Sequence, residues 1–334
     1  MADQRSGGIA YCDETWSPAI GCSPVSDGCK SCWAKRQAAR MCGPGKPYEG
    51  LVRDGEWTGK TRLVEHVLDA PLRWRRPRTI LVASMGDLFH ESRSECDIHA
   101  VFDVMARAQR HTFLILTKRA DRMRRFCRRL SFIGPKELPH LTEPSCWLSP
   151  IGDRTAVPLP NVRLGVSVED QPSADARISL LLQTPAASWW VSVEPMLGPV
   201  DLKPWLPRRC GCPEQYTGRD CPACHGTGRI RLVGESLLDH VVVGGESGPH
   251  ARPCDVAWIR DVVRQCREAR VPCLVKQLGA HPHWQHGDRE VCGARLSVRG
   301  GESGDWSRSR VLRDRAGADP AEWPADLRVR EIPR

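Results

Sequence analysis

Two groups of cysteines combine residue types and spacings that could do chemistry. The first, in GCSPVSDGCKSCWA, places Cys22, Cys29 and Cys32 with gaps of six and two residues. Three soft thiolates without an obvious fourth ligand nearby suit a 4Fe–4S cluster whose remaining iron stays open to an outside ligand. The alternative is a structural zinc ion completed by Cys12, Cys42 or a histidine. A short strand is expected to lead into Cys22, which puts the loop at a strand end and favours the cluster. The second group, in RRCGCPEQYTGRDCPACHGTGRIRL, places Cys210, Cys212, Cys221 and Cys224 with gaps of one, eight and two residues. Four cysteines in a short Gly-rich segment match a closed tetrahedral zinc site. Metal binding would then supply folding energy that so small a segment cannot draw from a core. Arg208, Arg209, Arg219, Arg229 and Arg231 flank these cysteines, and they either contact phosphate or form an ordinary solvated loop. No phosphate-binding Gly-rich loop, His-Glu-x-x-His helix or Gly-x-Ser-x-Gly elbow competes.

The elements that must position these groups are legible as apolar runs. Strands are expected near 79–84, 111–117, 162–168, 189–194, 240–245 and 272–277, each a β-branched or aromatic stretch. Between them, Ile98, Val101, Phe102 and Met105 recur at helical spacing, as do Val256, Ile259, Val262, Val263 and Cys266. Alternating strands and helices imply parallel pairing through crossover helices. Six or seven such units suit a complete or partial β/α barrel better than an open sheet. Each apolar run ends in polar side chains: Ser84 and Asp87, Lys118 and Arg119, Ser167 and Glu169, Ser192 and Glu194, Glu246 and Ser247, Lys276 and Gln277. In a parallel barrel those ends gather at one mouth, where such folds place their active sites. Lysine is scarce, eight residues against 41 arginines, so Lys118 and Lys276 at two strand ends stand out. Residues 131–160 read as a long loop or flap.

The chain has 334 residues, 40% of them apolar and 27% charged, which is globular composition. No window approaches the roughly 18 apolar residues of a membrane helix, and no basic-then-apolar leader opens the chain. A soluble, cytoplasmic protein without a membrane partner is expected, with its sixteen cysteines reduced. The net charge of +9 is compatible with phosphate or carboxylate ligands. Trp16, Trp33, Trp189 and Trp190 either line the cavity, stack a base or pack in the core.

At ETWSPAIGCSPVSDGCKSCWAKR, SMGDLFH, HTFLILTKR, VRLGVSVEDQ, WWVSVEPMLGPVDL, VVVGGESGPHARP and VKQLG the chain resembles a phage-associated family named after gene products 37 and 68. Members of that family look like radical S-adenosylmethionine proteins. The resemblance implies an α/β fold, a parallel partial β/α barrel of six to seven βα units over residues 1–279. The cysteine-rich zinc knuckle at 203–233 would be inserted in it, and 280–334 would form a C-terminal extension. It also implies a 4Fe–4S cluster on Cys22, Cys29 and Cys32 with S-adenosylmethionine nearby. Two departures stand out: the usual cysteine spacing has a first gap of three, and Gly244–Gly245–Glu246 follows a late strand instead of an early one. Ser167, Glu169, Ser192, Glu194, Glu246 and Ser247 are then candidates to hydrogen-bond the cofactor or substrate. Lys118, Glu194 and Lys276 are candidate catalytic groups, with Arg119 joining the two lysines around an anion. A donor such as flavodoxin or ferredoxin would supply electrons, and a nucleotide or nucleic acid would be the substrate. The second expectation is a non-catalytic, zinc-stabilised nucleic-acid-binding protein in which both cysteine groups are structural.

Overall fold

A computed structural model describes residues 9–132, 158–210, 221, 229–230, 235–284, 296–298, 308–310 and 312–332. Most of the loop expected at 131–160, and most of the insertion at 203–233, lie outside the described residues.

Seven strands form one sheet whose spatial order is their order in the chain. They are β1 (Glu14–Trp16), β2 (Thr79–Val82), β3 (Thr112–Thr117), β4 (Val162–Val168), β5 (Ser188–Val193), β6 (His240–Gly244) and β7 (Cys273–Gln277). Pairing is parallel from β1 through β4 and again from β5 through β7. Sequential parallel strands need crossovers long enough to carry a helix. Those helices are α1 (Trp33–Ala39), α2 (Glu95–Arg107), α3 (Ala120–Phe132), α4 (Gln171–Leu182) and α5 (Val256–Glu268). This is the α/β, parallel partial β/α barrel order. The six strands read from the sequence all form. The first of them ends two residues early, because Ala83 turns to φ +55 and Gly86 N–H closes a turn onto its carbonyl.

The chain divides into two compact units, Met1–Ser167 with Ser179–Ser188, and Val168–Ile178 with Trp189–Arg334. In the first, Ile80, Phe113 and Ile115 from the strands are buried, as are Ile98, Val101, Phe102 and Met105 on α2. Burying side chains of this kind stabilises by about 1.5–3 kcal/mol each. Helix α2 starts where Ser94 Oγ accepts the Asp97 N–H, with Glu95 and Asp97 in the first turn and Arg107 in the last. Both ends therefore complement the helix dipole.

In the second unit, Val256, Ile259, Val262, Val263 and Cys266 form the buried stripe of α5, whose first turn is capped by Asp255. The tail does not continue the strand–helix alternation. Val275 N–H donates to Val329 O and Glu331 N–H to Cys273 O, so the last described residues run antiparallel along β7. Those bonds cover backbone groups that an edge strand would otherwise expose. Cys254–Asp255, Pro282–Trp284, Arg308–Arg310 and Leu296–Val298 make a separate small sheet. Of the four tryptophans considered above, Trp16 and Trp190 are core residues, while Trp33 is exposed. Eleven described cysteines are free, but Cys96 is disulfide-bonded, which corrects the expectation of a fully reduced set. Among the described residues no helix is long and apolar enough to cross a membrane.

His111, just before β3, is buried and neutral in its bonding. Its Nδ1 accepts the Arg78 N–H at 3.2 Å and its Nε2 donates to Pro71 O at 3.0 Å. Burial lowers its pKa, and burial against Phe126 does the same for His99. A base whose folded pKa is depressed contributes stability above its unfolded pKa, about 6.5 for histidine, and loses it as pH falls. Urea-unfolding stability should therefore decline as pH drops below about 6.5, and His111→Gln should make that decline shallower.

Candidate metal centre

Close backbone approach delivers the first cysteine. Ala19–Ile20 pairs antiparallel with Arg62–Leu63, and Gly21 then bridges Gly86, the Gly21 N–H donating to Met85 O at 3.2 Å. Gly21 has φ +87, and a Cβ there would lie 2.3 Å from Lys60 O. A Cβ on Gly86 would lie 2.8 Å from Gly21 O. Only glycine fits either position, and the contact carries Cys22 to the segment that follows β2. Cys29 closes a short 3-10 turn, Asp27–Cys29, and Cys32 immediately precedes α1. All three sulfurs belong to the first unit and are half-buried. They lie close enough for Cys32 and Cys29 to act electrostatically on the Cys22 thiol.

Their titration is unequal. Burial, helped by the Asp87 charge, pushes the Cys22 thiol up to about 12 against the opposing pull of Arg119. Burial also acts to raise Cys29, but the Lys118 charge and hydrogen bonds from Val25 and Ser26 outweigh it and leave Cys29 lowered. Cys29 is thus the readier thiolate of the two, and the thiolate is the metal-binding form.

Around the loop sits a buried polar network. Asp87 accepts from the Phe89 N–H at 2.9 Å, from Thr117 Oγ1 at 2.7 Å and from Arg119 Nη1 at 3.1 Å. The Arg119 Nε donates to both Glu91 oxygens at 2.8 Å, and Nη2 donates to Ser23 Oγ at 2.8 Å. Its Nη1 also stands 3.8 Å from Cys22 Sγ. Lys118 Nζ reaches Ser26 Oγ at 3.4 Å. His90 Nδ1 accepts the Ser92 N–H at 3.2 Å, which leaves Nε2 as donor to Ser23 Oγ at 2.8 Å. Sequence reasoning named Lys118, Arg119 and Asp87, but missed Ser23, His90, Glu91 and Thr117. The segment SMGDLFH was the available signal, because its polar residues follow a strand end. Arg119 meets Asp87, Glu91 and Ser23 within this network.

In the second unit, Ser192 Oγ donates to Glu194 Oε2 at 3.0 Å, and Lys276 Nζ stands 3.2 Å from Glu194 Oε1. A Cβ at Gly244 would fall 2.9 Å from that same Oε1, so the glycine leaves the carboxylate its room. Glu169 is buried against Arg177 at 2.9 Å. Glu246 takes two bonds from the Arg252 guanidinium, at 3.0 and 2.7 Å, and a third from its backbone N–H. Each of these two carboxylates already has its charge met by an arginine. Ser167, in the first unit, is buried, and Ser247, in the second, is half-buried. Of the second cysteine group, Cys210 and Cys221 have their sulfurs 3.8 Å apart, while Cys212 and Cys224 lie outside the described residues. Among the described residues no set of three or more His, Cys, Asp or Glu side chains is gathered tightly enough for a single metal ion.

These features define a parallel β/α protein with a three-cysteine loop beside a strand end. The chain belongs to the DUF5131 family, described as a protein of unknown function, which it matches over residues 6–300. No curated protein matches it. Two solved structures are remotely similar. A point mutant of spore photoproduct lyase is 10% identical with a TM-score of 0.36, covering 90% of this chain and 68% of its own. Spore photoproduct lyase complexed with dinucleoside spore photoproduct is 10% identical with a TM-score of 0.33 at the same coverage.

The Asp87–Arg119 pair generates a stability prediction. Breaking a buried pair by removing one partner costs about 3–5 kcal/mol, because the other charge stays buried. Glu91 still faces Arg119, so Asp87→Asn should fall at the lower end, about 3 kcal/mol by urea unfolding. Asp27→Asn, at an exposed pair with Lys30, should change little.

Proposed function

We propose that this chain is a radical S-adenosylmethionine enzyme that holds a 4Fe–4S cluster on Cys22, Cys29 and Cys32 and acts on a nucleotide or nucleic acid. The cysteine loop carries the reading. It offers three soft sulfurs in electrostatic reach of one another, the donor type that iron–sulfur clusters take. The donor set also meets a cation: the Lys118 charge acts on Cys29 and favours its thiolate. A cluster held by Cys22, Cys29 and Cys32 would supply the one-electron reducing chemistry that radical S-adenosylmethionine enzymes use.

The chain's own residues hold the parts in place. Of Cys22 and Cys29, Cys29 is the nearer to its ligating form, and Cys22 must give up a proton on metal binding, with Arg119 beside it to steady the thiolate. Asp87 and Glu91 fix that guanidinium. In the second unit, Lys276 and Glu194 are the catalytic candidates, one for an anionic group and one as acceptor for an amino or hydroxyl group. Lys118 takes the corresponding cationic role in the first. Ser167, Ser192 and Ser247 add hydroxyls, and Glu169 and Glu246 add carboxylates held in place by Arg177 and Arg252. The substrate class rests on the net charge of +9, and the electron comes from a carrier such as flavodoxin or ferredoxin.

Anaerobically purified protein should be brown and contain about four irons per chain at this centre. It should release 5′-deoxyadenosine from S-adenosylmethionine only with dithionite. Cys29→Ala should abolish that release. Release that survives in Cys29→Ala would overturn the ligand assignment. Zinc in place of iron at both cysteine groups after anaerobic reconstitution would favour the nucleic-acid-binding alternative.

A further inference from the structure

A cavity of about 780 Å³ opens in the first unit, beside the ladder of Ala19–Ile20 with Arg62–Leu63 that delivers Cys22. Its lining is of two kinds. Ile20 is buried and Leu63 and Val64 are half-buried, whereas Lys46, Arg62, Glu65 and His66 are exposed and polar. Concave sites of about 300–1,000 Å³, with apolar walls and a few placed polar groups, are the usual form of a small-molecule pocket. Nothing in the radical chemistry uses this one.

The Arg62 guanidinium is fixed in place without being neutralised. Its Nη1 donates to Pro47 O at 3.0 Å and its Nη2 to Glu49 O at 2.7 Å. Both acceptors are backbone carbonyls, and the Glu49 carboxylate instead accepts the Gly45 N–H at 2.7 Å. Three of the five guanidinium N–H groups therefore remain for another acceptor. Arg119 is ordered by carboxylates; Arg62 is ordered by carbonyls, which leaves its charge to a ligand. The same two bonds join segment 45–49 to the strand at 62–63, so opposite parts of the lining are tied before anything binds. Lys46 and His66 have no ion pair among the described residues, and two permanent cations, Lys46 and Arg62, share the lining with one carboxylate, Glu65.

We infer that this cavity binds a small organic phosphate, with its phosphoryl group on Arg62 and Lys46 and its apolar body against Ile20, Leu63 and Val64. A planar guanidinium with free donors suits phosphate oxygens, which it can meet in pairs. The apolar side gives the rest of the molecule a surface to cover. The site does not rest on the radical reading.

Isothermal titration calorimetry of the full-length chain with naphthyl phosphate, inorganic phosphate and naphthol tests the inference. The expected result is one site for naphthyl phosphate, at least about tenfold tighter than for either fragment, because charge and apolar contact both contribute. Arg62→Met should weaken binding more than about tenfold, the loss of hydrogen bonds to a charged group. Arg62 also ties the lining together, so Lys46→Met, which removes no bond among the described residues, is the second variant and should cost about fivefold. Arg75→Met removes an exposed arginine elsewhere in the same unit and should leave the affinity within about twofold. Absence of binding, inorganic phosphate or naphthol binding as tightly, full affinity in Lys46→Met, or equal weakening by Arg75→Met would overturn the inference. An iron-free chain that still binds naphthyl phosphate through Lys46 would sustain it while removing the radical reading.

Discussion

One guanidinium ties three segments of the first unit together. Arg119, just past the end of β3, meets Asp87 and Glu91 from the segment after β2 and Ser23 from the cysteine loop. It is nearly inaccessible to solvent, and desolvating a charge is costly unless every donor finds a partner. Arginine suits the position because its planar fork can serve three acceptors at fixed angles, as an ammonium cannot. The same cation lies beside Cys22, so the group that orders the loop also sets the electrostatic environment of a candidate ligand.

The loop reaches that guanidinium only because two backbones touch. Gly21 and Gly86 meet where any side chain would collide with a carbonyl. Lys118, next to Arg119 in sequence, then reaches the loop from the same strand end. Two consecutive cations therefore do different work: Arg119 is spent on structure, while the Lys118 charge acts on Cys29.

The carboxylates of the second unit follow a related logic. Glu169 and Glu246 are buried and each is neutralised by an arginine eight or six residues ahead. Glu194 is matched to a lysine and a serine hydroxyl, and lysine is the more readily perturbed partner.

Periodicity and residue type were enough to read the strand–helix alternation, the buried stripes of α2 and α5, and the grouping of cysteines. Those features are local: a β-branched run or a 3.6-residue stripe states its preference without knowing its neighbours. The sequence alone likewise marked Asp87, Lys118 and Arg119 as polar groups at strand ends. It could not say which of them would be consumed by one another, because Asp87 and Arg119 are 32 residues apart and meet only when β2 and β3 pair. Nor could it show that Glu169 and Glu246 already have arginine partners, or that the tail would run along β7. Composition and spacing determined which chemistries this chain could host. Which charges remain available for them was decided by folding, since burial makes each charge seek the nearest opposite one in space, whatever its distance along the chain.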